Sequence, residues 1–124
     1  MSEPAQRECG RLDQAGRGLL GLARRAGALI IGVDRMRILV KQGKPLLILA
    51  DPALSARTWR ELEGWREADD RTRVVALMEM TDLNVLVGTT GVRAMALAEG
   101  GFRRGLEERL SPLNTGEQGG SQEA

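Results

Sequence analysis

The stretch ALIIGVDRMRILVKQGKPLLILAD, residues 28–51, decides the architecture because its hydrophobic period changes twice. ALIIG is a short apolar run that ends on Gly32 and reads as a strand. VDRMRILVKQG then sets Met36, Leu39 and Val40 on one side and Arg35, Arg37 and Lys41 mostly on others, the spacing of an amphipathic helix. Asp34 suits the positive end of that helix, and Gly43 closes it. KPLLILAD is apolar without interruption, the mark of a strand covered on both faces, and Asp51-Pro52 ends it as a turn.

Working outward, LDQAGRGLLGLARRAG carries Leu12, Ala15, Leu19, Leu22, Ala23 and Ala26 at helical intervals. Asp13 is the expected N-cap, and Gly27 follows Arg24 and Arg25 as a left-handed stop. Gly16, Gly18 and Gly21 spell G-x-G-x-x-G, but a dinucleotide fingerprint must follow a strand and open a helix. The polar segment before Gly16 reads as no strand and the glycines fall inside the helical register, so a bound nucleotide is not expected. Gly18 and Gly21 are expected instead to let a neighbouring element pack closely.

Toward the carboxy end, Ser55 caps ARTWRELEGWREA, RTRVVALM is a strand, and Thr81 caps DLNVLVG with Gly88 as its stop. VRAMALA alternates like a strand, and GGFRRGLEERL spaces Phe102, Leu106 and Leu110 by four. The order α-β-α-β-α-β-α-β-α implies an α/β protein, with parallel or mixed strands between helical layers and about four strands in the sheet. Residues 1–11 read as a loose tail, 12–110 as one domain, and 111–124 as a disordered tail too polar and Gly-rich to pack.

Composition narrows the function. There is no His and a single Cys, which removes histidine acid–base chemistry, histidine- or thiolate-held metals and any internal disulfide. No cofactor is implied. Tyr is absent, and Trp59, Trp65 and Phe102 are too few for a base-stacking platform. No apolar run is long enough to span a bilayer, and the polar start lacks the core of a secretory signal, so no membrane partner and a cytoplasmic location are expected. Net charge is +1, yet residues 1–44 hold nine Lys/Arg against four Asp/Glu, and the remainder nine against 13. A basic first third can attract phosphate or simply be a solvated surface.

The residues Leu19–Leu62, LLGLARRAGALIIGVDRMRILVKQGKPLLILADPALSARTWREL, resemble the YlxQ-type bacterial branch of the kink-turn-binding ribosomal-protein superfamily. That superfamily also includes carboxy-terminal domains of translation release factors. The resemblance runs from about Leu12 to Leu110 and implies a three-layer α-β-α sandwich. It also implies binding to structured RNA, kink-turn-like or ribosomal, and association with the translation apparatus or ribosome. Kink-turn binders follow the strand-ending glycine with Asn-Glu and, three positions on, Lys. Here Gly32 matches, while Asp34, Arg35 and Ile38 stand at the other three positions. Asp34 loses the amide donor, Arg35 reverses the charge and Ile38 donates nothing. Arg37 and Lys41 are near enough to offer phosphate contacts. The family's second RNA-facing loop maps to Gly88–Val92, with Thr89, Thr90 and the following Arg93 as contacts, and a family Lys near the fourth helix is replaced by Met80.

Trp59 and Trp65 read as packing anchors, Glu61, Glu63, Glu67, Asp69 and Asp70 as a solvated acidic face, and Cys9 as incidental to the tail. The expectation is a monomeric, non-enzymatic RNA-binding protein that uses the start of the second helix and the loop before the last strand. The rival is a protein-interaction module of the same fold that meets its partner through the acidic Trp-containing helix. An enzyme for a phosphorylated small molecule is a third class, kept because helix N-termini attract anions.

Overall fold

The computed structural model describes residues 7–113. Along the chain run β1 (Glu8–Leu12), α1 (Gln14–Arg25), β2 (Leu29–Ile31), α2 (Val33–Lys41), β3 (Leu46–Ala50) and α3 (Ala56–Ala68). They are followed by β4 (Arg73–Leu77), α4 (Met80–Val87), β5 (Ala94–Ala98), α5 (Gly101–Glu108) and β6 (Leu110–Pro112). The class is α/β, as the alternation implies. The sheet has six strands rather than about four, in the order β2-β5-β3-β4-β1-β6.

The two additional strands lie at the ends of the domain. β1 lies parallel to β4, with Gly10 opposite Leu77, and β6 lies antiparallel to β1, with Leu12 opposite Leu110. Residues 8–11 therefore belong to the sheet and not to a loose tail. Cys9 is half-buried in β1 and packs against the core. Only Gly10 and Leu12 of β1 are buried, so its sequence lacks the apolar run of an inner strand. At the other end Leu110–Pro112 is also paired, and residues 114–124 lie outside the described residues.

β3 is buried along its whole length, as its unbroken apolar run requires. Its side chains alternate between two cores. Leu47 and Leu49 join Leu20 and Ala23 of α1, Leu83 and Val87 of α4, and Leu106 of α5. Leu46, Ile48 and Ala50 join Met36 of α2 and Trp59 and Leu62 of α3. Helices thus cover both faces of one mixed sheet. β1, β3 and β4 run parallel, and β5 is inserted antiparallel between β2 and β3.

Several local expectations hold and others need correction. Asp13 caps α1 by accepting from the Gly16 N–H at 2.7 Å, and Ser55 caps α3 by accepting from the Thr58 N–H at 3.2 Å. Thr81 does not cap α4, because the helix begins earlier, at Met80, with Glu79 in the cap position. A strand does precede the glycine motif, contrary to the reading of that segment. The nucleotide loop is still absent, since Gly16 already stands in the first turn of α1 with its amide committed to Asp13. Close packing falls on other glycines than expected. A Cβ on Gly16 would lie 2.9 Å from the Arg109 Cβ, and one on Gly105 2.8 Å from Leu19 Cδ2. Gly18 has open space, and a Cβ on Gly21 would meet only the end of Arg25 at 3.6 Å.

Candidate nucleic-acid interface

β2 and β3 end, and β5 begins, at one edge of the sheet, which sets three chain segments side by side. The Gly32 N–H donates to the Ala94 C=O at 3.0 Å, and the Asp51 N–H donates to the Arg93 C=O at 2.8 Å. The start of α2 therefore lies beside the last residues of the Gly88–Arg93 loop. Gly32 turns the chain from β2 into α2 at φ 94°, a conformation that favours glycine. No side chain caps α2, so the first amides of this helix remain available at the rim.

The loop is held from inside by a residue that the sequence reading passed over. Asn84 of α4 is buried, and its amide nitrogen donates to the Met80 and Val92 carbonyls at 2.8 Å each. Its carbonyl oxygen accepts from the Thr89 hydroxyl at 2.8 Å and the Val92 N–H at 2.9 Å. Gly88 and Gly91, at φ 76° and 71°, supply the left-handed turns between these anchors. Thr89 thus points its hydroxyl inward, while Thr90 is exposed. A shallow cleft of about 370 Å³ opens beside the loop, bordered by Asp51, Thr81, Thr90 and Arg93. An asparagine amid the apolar residues of DLNVLVG was the available signal, because a buried amide must find partners.

The cations differ in what they can offer. Arg37 forks onto Glu61 of α3, with Nε at 2.6 Å and Nη2 at 2.9 Å, and its Nη1 reaches Asp34 at 2.6 Å. The Arg37 guanidinium holds the Glu61 carboxyl below its ordinary value, and Glu61 first, then Asp34, raises Arg37 further above its own. Arg37 is therefore largely neutralised in place. Arg93 leans toward Asp51 at 4.0 Å and donates to the Ala53 carbonyl at 3.5 Å. Arg35 is exposed and forms no ion pair among the described residues. Ile38 is 59% exposed on the same helix. Lys41 ends α2, about 12 Å from its start at 1.5 Å per residue, so it does not share the rim with Gly32.

Neighbouring residues correct further expectations. Arg24 donates to the Val87 carbonyl at 3.2 Å, so it tethers the end of α4 as well as suiting its own helix terminus. Trp59 is 1% exposed and belongs to the core, as expected, with the Arg7 guanidinium 4.0 Å from its ring centroid. The acidic face of α3 is not simply solvated. Glu61 binds Arg37, and Glu63 receives Arg7 at 3.3 Å.

No family model and no curated protein matches the chain. Among solved structures it is similar to a protein of unknown function from Bacillus halodurans, with a TM-score of 0.65 and 22% identity. That match covers 77% of this chain and 96% of the other. The likeness shows a shared fold. No helix among the described residues is long and apolar enough to cross a membrane.

Proposed function

We propose that this chain is a non-enzymatic binder of structured RNA of the kind its resemblance implies, kink-turn-like or ribosomal. The reading rests on one observation above others: the uncapped start of α2, which carries the exposed Arg35, stands beside a loop fixed by Asn84. Free helix-start amides meet phosphate, and the helix dipole favours an anion there. The exposed Thr90 and the backbone of Gly91 offer hydrogen bonds next to that contact. Asp34, bound to Arg37, cannot donate as an amide would, so recognition proceeds by phosphate and shape rather than by base edges.

A fluorescence-anisotropy titration against kink-turn RNA, an unkinked duplex and ribosomal RNA fragments tests this. Binding to at least one folded RNA, weakened at least tenfold by Arg35→Glu, is the expected result. Lys41→Glu makes the same charge change at the far end of α2 and is expected to have the smaller effect. Equal, negligible binding to all three RNAs would overturn the reading. The rival module draws less support, because Trp59 is buried and the acidic residues Glu61 and Glu63 are paired internally.

A further inference from the structure

The rim that carries the start of α2 also carries the start of α3. The turn between β3 and α3 is bound to the loop before β5: the Asp51 N–H donates to the Arg93 C=O at 2.8 Å, and Arg93 Nη1 donates to the Ala53 C=O at 3.5 Å. α3 begins just beyond, at Ala56, and its first turn holds Arg57 and no acid. A cation there opposes the helix dipole, whereas Asp34 in the first turn of α2 agrees with it.

Which way Arg57 faces follows from Glu61. Residues four apart share one side of a helix, and Glu61 accepts the forked guanidinium of Arg37 from α2. Arg57 therefore lies on the side of α3 turned toward α2, one turn nearer the rim. Its charge is felt there: the Glu61 carboxyl, held below its ordinary value chiefly by its hydrogen bonds from Arg37, is lowered further by Arg57. Both Glu61 oxygens are already taken by Arg37, and Arg57 is exposed with no ion pair among the described residues. On α2, Arg35 precedes Arg37 by two residues and stands roughly 160° from it around the helix, on the flank turned away from α3.

We infer that Arg57 is a second phosphate contact, so that one RNA strand runs across the starts of both α2 and α3. The inference rests on the RNA reading and extends it from one helix start to a track, with Arg35 at one end, the α2 amides between and Arg57 at the other. A guanidinium offers a phosphate group two parallel N–H bonds, and an unpaired one sheds no internal partner to do so. Ser55 already caps α3, so the side chain and not the helix end is what meets the anion.

The probes are fluorescently labelled kink-turn RNA and ribosomal RNA fragments, titrated by anisotropy into the full chain at several salt concentrations. Arg57→Gln is expected to reduce the slope of log K against log salt by about 0.7–0.9, which at about 50 mM salt is about a tenfold loss of affinity relative to 1 M. Arg57→Lys is expected to restore most of that slope. Arg66→Gln removes the same charge from an exposed residue about 14 Å farther along α3 and is expected to leave the slope unchanged. Equal Tm for all three variants and the parent is expected, since Arg57 and Arg66 hold no partner among the described residues. An unchanged slope in Arg57→Gln, or an equal reduction in Arg66→Gln, would overturn the inference. If Arg35→Glu still weakens binding in that case, the RNA reading stands without it, whereas negligible binding of every RNA by the parent chain removes both.

Discussion

Asn84 spends every hydrogen-bonding position of its carboxamide inside the protein, on Met80, Thr89 and both backbone groups of Val92. In Asn84→Leu the Val92 N–H and C=O lose these partners, and an unmet buried polar group costs about 1–3 kcal/mol. A loss of about 2–4 kcal/mol in urea unfolding is expected, with the Val92 amide exchanging faster than the rest of β5's approach. Unchanged protection at Val92 would mean that Gly88 and Gly91 alone fix the loop. Glu61 acts oppositely, since it occupies a cation that could otherwise meet RNA. Glu61→Gln is expected to release Arg37 from α3, leaving Asp34 as its one partner among the described residues, and to steepen the salt dependence of the proposed RNA binding by up to about 0.7–0.9 in log K per log salt. The same variant has a pH signature. Arg37 lowers the folded-state pKa of Glu61, so the pair's contribution is present above the unfolded-state value and is lost as pH falls through the folded one. Thermal melts in the acid range should therefore show a shallower decline for Glu61→Gln than for the parent. Its exposure keeps that difference small.

At the scale of elements, what could be read from sequence was what is fixed locally. α3 spans Ala56–Ala68 as expected, because Ser55 caps it and the helical spacing of Trp59 and Leu62 lies within the segment. β3 was equally plain, since an unbroken apolar run needs no partner to identify it. β1 and β6 were not legible, because ECGRL and LSP become strands only by pairing with each other and, for β1, with a strand more than sixty residues away. The start of α4 was misplaced for a related reason. Glu79 is held by the Leu12 N–H at 3.4 Å and by Arg17, partners that no local pattern announces. The candidate interface divided the same way: Gly32 and the Thr89–Arg93 loop were named from the resemblance, whereas Arg37's capture by Glu61 required α3 in place. A chain beginning at Leu12 tests the role of β1 directly. It leaves β6 without its partner and exposes the Val75–Leu77 edge of β4. Losing this half-buried strand's ladders to β4 and β6 costs about 3 kcal/mol, which lowers Tm by about 12 °C or more for a domain of this size. An unchanged Tm on calorimetry would reduce β1 to an adornment of the sheet.

For the whole molecule, the asymmetry of charge along the chain does not survive folding. The basic first third is brought against acids from the later part: Arg7 on Glu63, Arg17 on Glu79, Arg37 on Glu61. In the reverse sense, Glu8 near the amino end receives Arg73. A polyanion bound as proposed would meet a surface whose cations are mostly answered from within, and at the rim of α2 only Arg35 is left unpaired among the described residues. On the proposed reading electrostatic steering would be correspondingly weak, and uncharged contacts from helix-start amides and the Asn84-held loop would supply more of the affinity. The consequence is measurable. Each neutralised phosphate contributes about 0.7–0.9 to the slope of log K against log salt, so this chain should show a total slope of about 1–2 rather than the steep values of highly basic binders. RNA titrations at several potassium chloride concentrations determine that slope. A value well above this would mean that Arg37 and Arg93 leave Glu61 and Asp51 when RNA arrives, so that the ion pairs are gates rather than fixed neutralisers. In that case Glu61→Gln would leave the slope unchanged, and the two measurements together decide which description holds.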